Sequence, residues 1–272
     1  MRPADVPRPW VGVGLVRVVW TGPILADSLM TSQNLSVQAT HLQPRESSMR
    51  TRFLLLLPTL LLSACSVYFS STRVEGNGQA TSEQRDLRGF DEIDCTGSMD
   101  LTVVQSAEFQ VVIRGESNLL EYIEASVRGN SLDLAPRDGY SPDPMPSVEI
   151  HMPVCKLLDR TGSGDTEMKG LNAKKLELDL TGSGDLSAEG AVEDVALDRT
   201  GSGDVNLEGL VADSMEVDLI GSGTTRVRVE GKLSGSITGS GKVHLSGDAR
   251  EAVDITGSGR VIRVETGSGG GE

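Results

Sequence analysis

Aromatic side chains are scarce in this chain: two Trp, three Tyr and four Phe make up 3% of 272 residues. Sugar-binding platforms generally use exposed aromatic faces, so the shortage counts against a glycan lectin or lyase. Histidine is scarcer still, at His41, His151 and His244. None stands in a nucleophile motif, and no Cys and His spacing reads as zinc, so no catalytic residue, metal ligand or cofactor is assigned. No apolar run approaches the roughly 20 residues that a membrane-spanning helix needs; the longest, Phe53 to Leu62, has ten. Positive charge is in deficit, with 25 Lys and Arg against 39 Asp and Glu. Such a field opposes contact with nucleic acid and anionic membrane surfaces, and no nucleic-acid partner is expected.

Glycine is plentiful, at 32 residues, and much of it falls in one motif. Thr161-Gly-Ser-Gly-Asp165 returns as Thr181-Gly-Ser-Gly-Asp185, Thr200-Gly-Ser-Gly-Asp204, Ile220-Gly-Ser-Gly-Thr224, Thr238-Gly-Ser-Gly-Lys242 and Thr256-Gly-Ser-Gly-Arg260. The glycine pairs are Gly162 and Gly164, Gly182 and Gly184, Gly201 and Gly203, Gly221 and Gly223, Gly239 and Gly241, and Gly257 and Gly259. First glycines follow one another at 20, 19, 20, 18 and 18 residues, the regularity of stacked structural repeats.

Four residues before the first Gly stand Leu158, Leu178, Leu197, Val217 and Val253, and two before it Leu180, Leu219, Ile237 and Ile255. Leu186, Val205, Val243 and Val261 lie four after it, and Met168, Leu207, Val227 and Leu245 six after it. Apolar residues at every second place predict two short strands per repeat, each with one buried face. The Gly-Ser-Gly turn joins them, and a further glycine (Gly170, Gly190, Gly209, Gly247) is expected to close the second strand. Stacked about 4.8 Å apart, such coils share one interior and form a parallel β-helix. An antiparallel sandwich of Gly-Ser-Gly hairpins also explains the alternation, but gives no reason for a period near 19.

Residues 1–48 hold both tryptophans and no assignable pattern. Met49-Arg-Thr-Arg52 supplies two positive charges ahead of the apolar run, which has the length of a signal-peptide core. Leu62-Ser63-Ala64-Cys65 then resembles a bacterial lipobox, which implies acylation of Cys65 and cleavage before it. On that reading residues 1–48 are an upstream extension, 49–64 a lipoprotein signal peptide, 65–84 a tether and 85–269 the β-helix domain. Two or more acyl chains make a stable anchor, and Ser66 after the cysteine points to the outer membrane. Cys95 and Cys155 remain, either as core residues or as one disulfide.

From Arg85 the strands are less regular. Pro136 to Pro146 contains four prolines and Tyr140, so it reads as a surface loop and a candidate binding site centred on Pro136, Tyr140 and Pro146. Arg88-Gly-Phe-Asp-Glu-Ile93, the early turn Thr96-Gly97-Ser98 with Asp100-Leu-Thr-Val103, Asn118-Leu-Leu120, Leu132-Asp-Leu134 and the Gly-Ser-Gly-Asp coils together resemble the GIN-domain family, the autotransporter-adhesin heads. The resemblance spans Arg85 to Gly269 and implies a right-handed β-helix, an envelope location, adhesion, and no established catalytic residue. Thr224, Lys242 and Arg260 depart from it where earlier coils have Asp.

Asp159, Asp179, Asp198, Asp218 and Asp254 recur three residues before the turn. They read as a solvated outer column, with a calcium ladder as the sharper alternative. A phosphate loop around Lys242 fails because Ser236 and Val243 occupy the places of the required Gly and hydroxyl. The functional expectation is a lipid-anchored envelope β-helix acting as a structural or adhesive module, with a surface glycan or envelope protein as partner. Two alternatives stand beside it. One is a polysaccharide lyase or hydrolase using Asp159-Arg160 or Asp198-Arg199; the other is an envelope-stress or signalling accessory.

Overall fold

The computed structural model describes residues 71–264, all within one compact unit, Ala64–Glu272. Cys65, the signal peptide, the upstream extension and the glycines after Val264 lie outside the described residues. The strands are β1 (Thr72–Glu75), β2 (Ala80–Arg85), β3 (Glu92–Gly97), β4 (Leu101–Gln105), β5 (Gln110–Glu116), β6 (Ile123–Arg128), β7 (Ser131–Pro136), β8 (Tyr140–Asp143), β9 (Ser147–Met152), β10 (Leu157–Gly162), β11 (Thr166–Gly182), β12 (Leu186–Gly201), β13 (Val205–Gly221), β14 (Thr224–Gly239), β15 (Lys242–Ser246), β16 (Arg250–Gly257) and β17 (Arg260–Arg263). A 3₁₀ turn at Leu120–Tyr122 is the one helical piece among the described residues.

These strands make an all-β solenoid. Ahead of the turns, β7, β3, β10, β11, β12, β13, β14 and β16 pair in parallel, in that spatial order. After the turns, β9, β4, β11, β12, β13, β14, β15 and β17 do the same. The early copy at Gly97 is a full member of the stack, in register with Gly162. The antiparallel sandwich is excluded, because every strand that borders a Gly-Ser-Gly turn pairs in parallel with the same place one coil away.

Sequence order and stacking order part at the N-terminal end. The coil of β7 and β9 comes later in the chain than that of β3 and β4 yet lies outside it. Antiparallel strands close this end: β6 covers β7, and β5 and then β2 cover β9. Within the stretch read as a tether, the described residues therefore form two strands, the first from Thr72, ahead of Arg85. Its side chains gave no alternation to read because β2 is an edge strand whose residues are almost all exposed.

Inside the coils, Leu158, Leu178, Leu197 and Val217 form one buried row and Met168, Leu207, Val227 and Leu245 another. Burial of each such side chain contributes about 1.5–3 kcal/mol, while ordering each backbone residue costs about 1–2 kcal/mol. One coil alone therefore cannot fold, and stacking supplies the missing half of its interior. The expected two strands per coil become one run in the middle of the stack, 17 residues long in β11 and β13. Pairing continues through the bend as a local register shift, between Met168 and Leu171 in β11 and between Ser187 and Glu189 in β12. Gly170, Gly190 and Gly209 bend the strand without ending it, because a β-bulge turns the chain without giving up the ladder. Only Gly247 lies beyond its strand end.

The turn glycines lie against the coil before them. Gly182 has φ +137°, and a Cβ there would fall within the van der Waals sphere of the Gly162 carbonyl oxygen; Gly201 meets Gly182 in the same way. The second glycines make the same close approach without a positive φ: Gly164 against Met99, Gly184 against Gly164 and Gly203 against Gly184. The motif is thus a contact between backbones as much as a turn.

Candidate functional site

Two columns of Asp run along the turn edge, and they behave differently. The column three residues before the turn is longer than the repeats alone suggest: Asp133, Asp94, Asp159, Asp179, Asp198, Asp218, Ser236 and Asp254 lie in register. These carboxylates point away from the interior, about one strand spacing apart. Burial, then Asp198 and Asp159, push the Asp179 carboxyl above its ordinary range. Burial, then Asp159 and Asp133, do the same to Asp94. Relief comes at the first position, where Arg128 binds Asp133 at 2.6 Å, and near the other end, where the Ser236 hydroxyl donates to Asp218 Oδ1 at 2.6 Å. Among the described residues no group of three His, Cys, Asp or Glu side chains could hold a metal ion.

The second column, just after the turn, binds coils together. Asp100 Oδ1 accepts the Asp165 amide at 3.0 Å, Asp165 that of Asp185 at 3.0 Å, Asp185 that of Asp204 at 2.8 Å, and Asp204 that of Thr224 at 2.7 Å. Once Thr224 replaces Asp, the job passes to the backbone: Lys242 N donates to Gly223 O at 3.0 Å and Arg260 N to Gly241 O at 3.2 Å. The change from Asp to Thr, Lys and Arg along the edge is therefore a change of acceptor. The sequence held this signal as the Asp of the Thr-Gly-Ser-Gly-Asp motif, but nothing in the local pattern names the amide one coil away as its partner.

Arg160 and Arg199 are the polar intruders in the core. They stand in the row two residues before the turn, in register with Cys95, Leu180, Leu219 and Ile237. Arg160 is 5% exposed and Arg199 3%. Arg160 Nη2 donates to Met99 O at 2.6 Å and its Nη1 to Gly97 O at 3.0 Å, so it clamps the preceding turn from inside. Arg199 Nη1 donates to Gly203 O, in its own turn. Because Asp159 and Asp198 face outward while the adjacent arginines face inward, the two Asp-Arg pairs considered for glycoside chemistry are divided by the sheet. Strand alternation forbids neighbours in sequence from sharing a face.

The Pro136–Pro146 segment is not a free loop. Its middle is β8, an edge strand paired in parallel with β1 from Thr72↔Tyr140 to Glu75↔Asp143. Pro136 ends β7 and covers Gly97, while Pro146 is buried and packs on Gly115. Tyr140 alone of the three is open, at 39% exposure. Its ring lies 4.8 Å from that of Tyr122, tilted by 44°, and the Arg137 guanidinium sits 5.7 Å from the Tyr122 centroid. This exposed aromatic and cationic cluster occupies the capped end. Tyr122, which joins it from the 3₁₀ turn, was not singled out by the sequence, because nothing local brings residues 122 and 140 together.

Cys95 and Cys155 are both free and buried. Burial pushes the Cys95 thiol up to about 11 and the Cys155 thiol up to about 12. His151 Nε2 lies 2.8 Å from Glu149 Oε1, and Arg114 Nη2 donates to Glu149 Oε2 at 2.8 Å. Those two partners, His151 foremost, hold Glu149 below the ordinary carboxylate range. The trio ties β5 to β9 on the outer surface.

The fold is shared with solved structures of low sequence identity. One, described as a putative adhesin from Bacteroides fragilis, is 18% identical, covers 70% of this chain and 100% of its own, and has a TM-score of 0.60. Another, described as a putative lipid binding protein from Parabacteroides distasonis, is 22% identical, covers 71% of this chain and 100% of its own, and has a TM-score of 0.50. No curated protein matches the chain. A family model described as "Putative auto-transporter adhesin, head GIN domain" matches residues 89–249, from the glycine of the Arg88-Gly-Phe-Asp segment through the stacked coils. The chain belongs to the GIN-domain family.

Proposed function

We propose that this chain is a non-catalytic binding module of the cell envelope, acylated on Cys65 in the outer membrane, that uses its solenoid as a scaffold for adhesion to a surface glycan. The single observation that carries the reading is the Tyr122–Tyr140–Arg137 cluster, where the sheet pair β1–β8 fixes exposed aromatic surface at the capped end. A sugar ring stacks on a tyrosine face, and a guanidinium donates to its hydroxyls. Family membership supports adhesion, and Leu62-Ser63-Ala64-Cys65 supports the anchor. The separation of Asp159 from Arg160 and of Asp198 from Arg199 leaves the glycoside-cleaving alternative without its candidate residues.

Deleting Pro136–Pro146 is a poor test, since it removes β8 and the buried Pro146 together. Tyr140→Ala and Arg137→Ser, singly and combined, change the cluster and leave the ladders in place. Retention on immobilised surface polysaccharides should fall about tenfold for the combined variant, with an unchanged unfolding midpoint. Equal retention of wild type and variant would remove the cluster from the reading. For the anchor, wild type should incorporate labelled fatty acid and fractionate with the outer membrane, while Cys65→Ser should do neither.

A further inference from the structure

The interior row that carries Arg160 and Arg199 holds Leu180 between them. Parallel strands lie about 4.8 Å apart, so the two arginine backbones are separated by about 10 Å with one shorter side chain in the gap. The mismatch in length leaves a cavity of about 20 Å³ beneath the Thr181–Asp185 turn. Arg160, Arg199, Thr166 and Leu180 line it, together with glycines of three successive turns.

Part of its polar lining is unpaired, although Arg160 Nη1 and Nη2 and Arg199 Nη1 already donate to turn carbonyls. Arg199 Nε and Nη2, Arg160 Nε and Thr166 Oγ1 are buried and have no hydrogen-bond partner among the described residues. A guanidinium stays protonated and offers five N–H donors but no acceptor, so this wall presents donors and positive charge. No carboxylate among the described residues forms an ion pair with either arginine. Asp185 borders the cavity but is exposed, and its Oδ1 is occupied by the Asp204 amide. Burial pushes the Arg199 guanidinium below its ordinary range, and Asp204, which opposes that shift, has its Oδ1 on the Thr224 amide. An isolated buried charge costs several kcal/mol unless it is compensated.

Size then selects the compensating group. A space of this volume holds little more than one water-sized particle, which shuts out phosphate, sulfate and any carboxylate-bearing ligand. Water can supply the acceptor but not the charge.

We propose that the space between Arg160 and Arg199 is a buried halide site, in which chloride accepts N–H groups of both arginines and the Thr166 hydroxyl. The ion staples the third, fourth and fifth parallel coils from within, at the point where two cations would otherwise face one another across Leu180. It adds to the coils the interior bond that the outer Asp column supplies from outside. The site is independent of the surface cluster at the capped end, so neither reading depends on the other.

The test uses the full mature chain, crystallised with bromide replacing chloride. A bromide anomalous peak within hydrogen-bond reach of Arg199 is expected in the wild type. In solution the unfolding midpoint should rise along a saturable curve with chloride, by about 3 °C. Gluconate at equal ionic strength, too large for the cavity, should leave it flat. Leu180→Phe adds side-chain volume in the space without touching either charge and should abolish both the peak and the response; Arg199→Met should do the same if it folds. A wild-type map with no bromide peak, or a chloride response that survives in a folded Leu180→Phe, overturns the proposal.

Discussion

The central coils and the N-terminal cap hold their strands by different means. From Leu157 to Ser246 the same contacts recur from coil to coil: backbone on backbone at the turn, aliphatic row upon aliphatic row, and, as far as Thr224, Asp carboxylate to the next amide. Between Thr72 and Met152 the ties are particular. Asn118 Nδ2 donates to Glu75 O at 2.8 Å, Asn77 Nδ2 to Ser117 Oγ at 2.9 Å, and Asn130 Nδ2 reaches Asp91 at 3.0 Å and Glu92 at 2.8 Å. The coils can be extended by repetition, whereas the cap has to stop repetition. It does so by turning strands antiparallel, so that the last edge is short and polar.

The sharpest way to break the contrast is through glycine. Gly182→Ala places a Cβ against the Gly162 carbonyl in a backbone that L residues rarely adopt, and no flexible side chain is there to yield. It should cost at least about 4 kcal/mol in urea unfolding, or prevent folding. Gly129→Ala in the β6–β7 hairpin has a positive φ of 66° but open space around it, and should cost about 1 kcal/mol. Similar losses at the two sites would mean that the backbone contact between turns is unimportant.

The two Asp columns give the next largest difference. Asp185→Ala removes the acceptor for the Asp204 amide and should cost about 1 kcal/mol, with faster exchange of that amide. Asp179→Asn removes a charge from a crowded row and should leave stability unchanged or raise it by no more than about 1 kcal/mol at pH 7. A destabilising Asp179→Asn would argue that the outer column binds something in the folded state.

Acid should separate the regions further. Asp91 is held below its ordinary range by Lys156 and then Asn130, and Glu149 by His151 and then Arg114. Their lowered folded-state values stabilise the cap above the ordinary carboxylate range, and that contribution is lost as pH falls through those values. Asp179 has a raised value, so the folded chain binds its proton the more tightly. Its contribution is complete below the ordinary carboxylate pKa and is lost as pH rises through the raised one. Amide exchange at pH 4 against pH 7 should show β9 losing protection relative to β11 and β12. The smallest effect is chemical: with both thiols buried and raised, Cys95 and Cys155 should resist a disulfide reagent at pH 8 until the chain unfolds.

Much of the coil architecture was legible because a repeat displays its own constraints. Leu178 and Leu197 share a place in the period and a row in the core, and the Thr-Gly-Ser triplet alone is enough to match Gly97 to Gly162. The candidate binding surface was legible only in part. Tyr140 was visible in a proline-rich stretch, but Tyr122 joins it through the β1–β8 pairing, and the strands of that pairing carry no periodic signal. Arg160 and Arg199 are visible as residues, but the sequence offers them only the alternative role of lyase or hydrolase groups beside Asp, because Arg seldom stands at a buried position.

The sequence by itself determined the parallel stack: a period near 19, alternating aliphatics and glycines at fixed places admit one economical way to bury an apolar face. It also determined which carboxylates face outward, since alternation sets the face of each residue. Only the tertiary structure decided the order of the first coils, the cap that ends them, and the internal gap between two arginines beside Leu180. Those features arise from contacts between residues tens of positions apart, where the local pattern of the chain exerts no constraint and the geometry of packing does.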